Sequence, residues 1–373
     1  LDMRKLEPKT MRENYLRAVR FNYPFFIPSF VSIPVSTWKR YGDKLAGIVE
    51  KHKLLFPWFR REMLNLDAYP KRPPTYRDEW GCVWRYTVDG LQGIVVENPL
   101  KDWSMMERFE PPDPELGLPR EGEPPIPWSE VEAFTRSVKE SGGLIVGFMP
   151  HGFLFLRLTY LRGYLNFLKD LATGPPQLER LVDTVVEYNV EVVKRLLRLG
   201  VDVVSFGDDL GTQHGLPYSP ASFRRYLLPG YKRIFSEVKK KGVVVRLHSD
   251  GYVMDIASDL VSAGVDVLNI QDRLNGIDRM ERELKGKVAL EVDVDRQRLL
   301  PFGSPREIDG YVKETIGRLG SRRGGLLFSA EVLHDVPLEN IKALLDALEK
   351  YSELHKSLPD VSWARKNKHR FFK

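Results

Sequence analysis

The stretch Val201-Asp-Val-Val-Ser-Phe-Gly-Asp-Asp-Leu-Gly-Thr-Gln-His-Gly-Leu-Pro-Tyr-Ser-Pro-Ala-Ser-Phe-Arg-Arg-Tyr-Leu-Leu-Pro-Gly230 decides how the chain is read. An apolar strand ends on paired carboxylates, Asp208 and Asp209, and a polar loop carrying Gln213 and His214 follows. Ser219-Pro220 then opens an amphipathic helix, with Ser as N-cap and Pro at the first helical position. Carboxylates where a strand gives way to a loop and a new helix sit at the edge where α/β barrels and open α/β sheets carry their chemistry.

Outward from this segment the same unit recurs. Strand patterns lie at 143–150, 201–209, 243–250, 265–271, 288–295 and 325–331, with helical patterns between them. In 177–199, Leu178, Val182, Val185, Val192 and Leu196 recur at helical spacing and Gly200 supplies the stop. Ser304-Pro305 and Val336-Pro337 open two further helices. Strands alternating with helices imply parallel βαβ units. Residues 25–33 and the region 80–96 supply two more candidate strands. The expected fold is therefore a single (β/α)8 TIM barrel, residues 1–373 forming one domain. The surplus, 35–130, is rich in Pro and aromatics and is expected as an ordered, irregular excursion over the barrel mouth. An open doubly wound sheet is the alternative.

Composition narrows the class. With 373 residues and 42% hydrophobic content the chain can bury a large core. Its net charge of +6 comes from 57 basic residues interleaved with 51 acidic ones, so nucleic-acid binding has no basic, aromatic stripe to rest on outside the tail 366–373. The basic tail, 357–373, is expected to be a frayed or docking terminus. One cysteine, Cys82, excludes an internal disulfide and any multi-thiolate metal site. With no signal-like start and no long uncharged apolar run, a soluble cytoplasmic protein is expected. No glycine-rich nucleotide loop occurs.

Parity then picks out a site. Alternate residues of a strand share a face, which groups Ser205, Gly207 and Asp209; Val244, Arg246, His248 and Asp250; Asn269 and Gln271; Glu291, Asp293 and Asp295; Ser329 and Glu331. In five consecutive strands one parity turns polar towards the C-terminal end, whereas a face filled only for packing would stay Val, Ile and Leu. Such a bowl belongs to an enzyme or a tight small-molecule binder. Asp209 is assigned inward and Asp208 to capping a neighbouring loop. His248-Ser-Asp250 reads as a metal pair or as a histidine oriented by a carboxylate, with an Arg246–Asp250 ion pair as the plain structural option. His151, Gln213 and His214 are mouth-loop residues that either bind a ligand or satisfy backbone groups. Cys82 reads as a small buried apolar residue.

The opening segment, Leu247-His-Ser-Asp-Gly251, the run 260–269, the run 295–305 and Asp335-Val-Pro-Leu-Glu-Asn-Ile341 together resemble the uroporphyrinogen decarboxylase superfamily, which includes cobalamin-dependent methyltransferases. Thr159-Tyr-Leu-Arg-Gly163 is similar to the segment holding a substrate-contacting tyrosine, implying a catalytic role for Tyr160. Asp78 is similar in context to the carboxylate that grips pyrrole nitrogens. Two departures bear on the reaction. The stretch 25–33 lacks the arginines that bind substrate carboxylates in the decarboxylases, and Ala330 stands near a position that is usually histidine. In the methyltransferase branch zinc is held by His-x-Cys and a later Cys; His248-x-Asp250 keeps the histidine and Glu331 lies near the second thiolate. The resemblance thus implies zinc on His248, Asp250 and Glu331, while strand parity and the mouth loop give Asp209 as catalytic and Gln213, Asn269, Gln271, Asp293 and Arg246 as substrate-binding. It also implies a corrinoid supplied by a partner protein, with methyl transfer as the expected reaction. The alternatives are a tetrapyrrole decarboxylase using Asp78 and Tyr160, and a non-catalytic corrinoid or porphyrin carrier.

Overall fold

The computed structural model describes residues 7–64, 73–87 and 93–361. Its strands in chain order are β1 (Ser29–Ser32), β2 (Thr75–Arg77), β3 (Val83–Arg85), β4 (Ile94–Glu97), β5 (Val146–His151), β6 (Val203–Gly207), β7 (Val244–Ser249), β8 (Val267–Gln271), β9 (Ala289–Asp293) and β10 (Leu326–Glu331). One seven-stranded sheet has the order β1-β10-β9-β8-β7-β6-β5, and β5–β6, β6–β7, β9–β10 and β10–β1 pair in parallel. Sequential parallel strands separated by helices make this an α/β, TIM-like fold.

The eighth strand expected from 80–96 is a correction. That region and its neighbour form a separate antiparallel sheet, β2-β3-β4. Only Asp78–Cys82 separate β2 from β3, and a parallel crossover needs a dozen or more residues. Among the described residues the large sheet therefore has seven strands. The excursion also starts less irregularly than its sequence suggests, because Val35–Val49 is helical on both sides of a kink at Gly42, burying Trp38 before it and Leu45, Ala46 and Val49 after it. The tail 366–373 lies outside the described residues. No helix among the described residues is long and apolar enough to cross a membrane.

The chain divides into two compact units, Leu1–Pro70 with Asn269–Lys373, and Lys71–Leu268. In the first, Asn14 donates to Phe26 O (3.0 Å) and accepts from Phe25 N (2.7 Å), fixing the chain that leads into β1. Thr37 Oγ1 and Tyr41 OH donate to Val332 O and Val336 O, both at 2.8 Å, tying the Val35–Val49 helix to the segment after β10. The helix Pro305–Leu319 begins with a full capping box between Ser304 and Glu307.

In the second unit, the long helix Pro176–Arg198 and the helix Leu228–Lys240 cover one face of β5–β6–β7. A Cβ on Gly147 would press on Leu196, and Phe206 packs on Phe235 at 5.0 Å between ring centroids. Pro229 would clash inside a continuous α-helix, and the chain absorbs it in a π-turn over Phe223–Leu227. Phe235 is fully buried among Phe153, Phe206 and Tyr231. Phe235→Ala is expected to cost about 3–5 kcal/mol, read as a lower urea midpoint at unchanged m-value.

Candidate functional site

The face of β5–β6–β7 turned away from those helices is built in tiers. Lateral partners in register share a face, so Val146, Val203 and Val244 form an apolar floor, followed by Phe148, Ser205 and Arg246, then His151, Gly207 and His248. The first row is apolar, the second mixed, and the third presents two imidazoles. His151 belongs there only because the β5–β6 register shifts between Phe148 and His151: three residues of β5 advance against two of β6. This bulge turns the His151 side chain from the helix-packed face to the polar face. Plain alternation would group it with Gly147 and Met149, so parity alone does not place it on the polar face. Gly207 makes the space, since a Cβ there would lie 2.7 Å from His151 Cδ2.

Asp209 closes the upper tier. Its Oδ1 lies 3.1 Å from His151 Nε2 and 3.8 Å from His248 Nε2, and accepts the Asp250 N–H at 3.1 Å. One donor atom from each of His151, Asp209 and His248 falls within 4.8 Å of the others. Behind them, Glu121 Oε2 is 3.4 Å from His151 Nδ1, and the Tyr160 hydroxyl donates to Glu121 Oε1. Burial disfavours a charged His151, but Asp209 and Glu121 outweigh it and push the imidazole up to about 11. Burial likewise opposes ionised Asp209, yet His151 and His248 hold its carboxyl below the usual range. Burial and Glu121 raise Tyr160, keeping it a hydroxyl donor.

Asp208 turns the other way and is fully buried, with 0% exposure. It accepts the N–H groups of Leu154 (3.2 Å), Phe155 (2.6 Å) and Leu156 (2.8 Å) at the start of the helix Phe155–Arg162, and the Tyr231 hydroxyl at 2.6 Å. Burial raises it to about 6 against the pull of those donors. The assignment of Asp209 inward and Asp208 to a cap agrees with this geometry. Glycines let the two mouth loops touch: a Cβ on Gly251, where φ is +80°, would meet Gly211 C at 2.3 Å, and Tyr252 N donates to Thr212 O at 2.9 Å.

The other residues singled out from the sequence fall as follows. Arg246 Nη1 donates to Ser205 Oγ at 3.0 Å. Asp250 Oδ1 is 3.7 Å from His248 Nε2. Gln213 and His214 are exposed on the loop after β6. In the unit Leu1–Pro70 with Asn269–Lys373, Asn269 Nδ2 donates to Glu291 O (2.8 Å) and Ser329 Oγ (3.0 Å), while Gln271 O accepts from Asn275 Nδ2. Arg296 there spans Asp293 (3.7 Å) and Glu331 (3.1 Å).

The donors that meet at His248 are Asp209 and His151, with Asp250 close by; within its own unit Glu331 pairs with Arg296. One expectation needs correction. Asp78 is no open carboxylate: its side chain is 1% exposed and accepts from Trp80 N, Cys82 N, Trp84 Nε1 and Arg157 Nη1 at 2.8–3.1 Å. With four donors already in place, it anchors the β2–β3 turn to the helix carrying Tyr160. Cys82 is buried beside it, and burial and the Asp78 charge push its thiol up to about 12. Glu121 was missed, because the proline-rich run 119–127, which also holds Glu123, has no periodicity to mark either glutamate.

The comparisons with known proteins agree with this architecture. The sequence profile of the family described as "Uroporphyrinogen decarboxylase (URO-D)" matches residues 81–351, and the chain belongs to that family of enzymes. The uroporphyrinogen decarboxylase of Carboxydothermus hydrogenoformans is 24% identical over 284 residues, 74% of this chain and 75% of that protein. The decarboxylase of Thermus thermophilus is 26% identical over 270 residues, covering 69% and 72%. A solved methyltransferase from Methanosarcina mazei superposes with a TM-score of 0.63 at 20% identity, over 91% of this chain and 98% of that one, and so shares the fold.

Two outcomes are expected. Without metal, the raised His151 contributes stability that is complete below about pH 6.5 and is lost as pH climbs towards 11. In chelator, urea midpoints between pH 6.5 and 10 should therefore fall more steeply for the parent protein than for His151→Gln. Asp208→Ala strands four buried donors and should cost about 3–5 kcal/mol in the same assay.

Proposed function

We propose that the protein is a methyltransferase that moves a methyl group between a small substrate and a corrinoid carried by a partner protein, assisted by a divalent metal, zinc first, held by His151, Asp209 and His248. The observation that carries this reading is the convergence of those three side chains at the C-terminal ends of β5, β6 and β7. Two imidazoles and one carboxylate suit zinc and leave a position open for substrate. Held there, the metal would supply Lewis acidity towards a substrate oxygen. The protein's own part is orientation. Glu121 holds Nδ1 of His151, so that Nε2 faces Asp209, and Tyr160 in turn holds Glu121. The Asp250 N–H fixes the Asp209 carboxylate, and the Gly211–Gly251 contact sets the two loops that carry it and His248. The corrinoid brings its own methyl-carrying chemistry when its carrier docks.

A second reading, decarboxylation of a tetrapyrrole, is favoured by the names of the curated relatives. The chain's own residues argue against it. Asp78 is committed to Arg157 and three N–H donors, and 25–33 lacks arginine to orient a polycarboxylate.

Elemental analysis combined with a methyl-transfer assay to cob(I)alamin tests the proposal. His248→Ala and His151→Ala should lose zinc and transfer together while keeping the parent's circular dichroism. Glu121→Gln should weaken zinc about 10- to 100-fold and alter the visible bands of the cobalt(II)-substituted protein. Full transfer by metal-free protein would refute the metal's role, and release of CO2 from uroporphyrinogen would establish the second reading.

A further inference from the structure

One surface of the unit Leu1–Pro70 with Asn269–Lys373 plays no part in the reading above. Leu54-Leu-Phe-Pro-Trp-Phe59 is an uncharged apolar run, and within it only Leu54 is buried. Trp58 stands 52% exposed, while Leu55, Phe56, Pro57 and Phe59 are half-buried. Both ends of the run are fastened. Before it, buried His52 joins Ile48 O at 2.8 Å and Asp346 Oδ1 at 3.1 Å, and Leu54 N donates to Glu349 Oε1 at 2.8 Å. At its far end Phe59 stacks on Trp38 with centroids 5.5 Å apart and 9° between planes. Arg61 then reaches back along the Val35–Val49 helix to Glu50 (2.9 Å) and Asp43 (3.5 Å). The exposed indole therefore sits on a braced loop.

The charge around it is one-sided. Lys39, Lys44, Lys51, Lys53 and Arg60 are exposed and enter no ion pair among the described residues. Lys51 and Lys53 precede the apolar run, Arg60 follows it, and Lys39 and Lys44 lie on the helix to which it is fastened. Arg61 engages Asp43 and Glu50, two of the three acids between residues 38 and 62.

Three kinds of anionic partner answer to such a patch, and its pattern separates them. Protein interfaces are depleted in Lys, yet four of these five cations are Lys. Single-stranded nucleic acid is tracked by a basic groove with rings free to stack, whereas the face of Phe59 is taken by Trp38 and no cation interrupts the run. A membrane surface asks for segregation: a Trp-bearing apolar loop at the headgroup boundary, with Lys and Arg at its flanks against anionic lipid.

We propose that the loop 54–59 docks the protein on an anionic membrane surface, with Trp58 seated among the headgroups and Lys51, Lys53 and Arg60 against their charge. Lys39 and Lys44 widen the cationic footprint. This docking is independent of the reaction assigned above.

Co-sedimentation with vesicles of phosphatidylcholine, with and without phosphatidylserine, tests it. The protein should sediment with serine-containing vesicles at low salt, come off at high salt, and ignore phosphatidylcholine alone. Lys51→Gln and Lys53→Gln, both at exposed positions, should each weaken binding about 5-fold. Trp58→Ser should weaken it on the same vesicles. Lipid brominated next to the headgroup should quench tryptophan emission in the parent, and Trp58→Phe should lose that quenching while still sedimenting. Absence of sedimentation with serine-containing vesicles at low salt overturns the proposal. So does undiminished binding by the folded Lys51→Gln/Lys53→Gln double variant, or full quenching in Trp58→Phe. Polyuridylate that binds more tightly than the vesicles and displaces them would give the patch to single-stranded RNA instead.

Discussion

The site depends on one buried carboxylate that is turned away from the polar face. Asp208 receives three successive backbone N–H groups at the start of the Phe155–Arg162 helix, and the Tyr231 hydroxyl besides. It thereby welds the end of β6 to the helix after β5 and to the helix Leu228–Lys240. Because consecutive strand residues point oppositely, burying Asp208 among these donors turns Asp209 to the other face. The same helix carries Arg157, clamped by Asp78, and Tyr160, hydrogen-bonded to Glu121. The outer support of His151 is therefore set by the cap on Asp208.

Much of this was legible in the chain. Helix openings at Ser219-Pro220 and Ser304-Pro305, and parity along β6 and β7, follow from local rules that tertiary packing did not override. Asp209, His248 and Arg246 share a face because no irregularity interrupts their strands. His151 stayed open between ligand and loop residue because a bulge is a one-residue register change, and Pro150, a residue that strands admit at bulges and edges, is the one local sign of it. The region 80–96 was misread for another reason: its apolar content suits a strand, but partner and direction depend on connection length. Asp78 shows the limit of likeness in context. The N–H groups of its neighbours Trp80, Cys82 and Trp84 converge on the carboxylate, and Arg157 balances its charge.

Membership of the uroporphyrinogen decarboxylase family, and a fold shared with a solved methyltransferase, describe the scaffold on which the site is built. The polar face of β5–β6–β7 rises in three short tiers from a valine floor to two imidazoles. Glycine at 207, 211 and 251 shapes its upper end, because each admits a side chain or backbone that a methyl group would displace.

The seclusion of Cys82 has a practical side. It is the chain's only cysteine, its thiol is sealed against the Tyr160 carbonyl, and burial together with the Asp78 charge suppresses the reactive thiolate. A thiol placed elsewhere on the surface would be the sole target of maleimide dyes, spin labels or a gold electrode, with the native cysteine left in place. The wild-type background is thus already suited to distance measurements from a single engineered label.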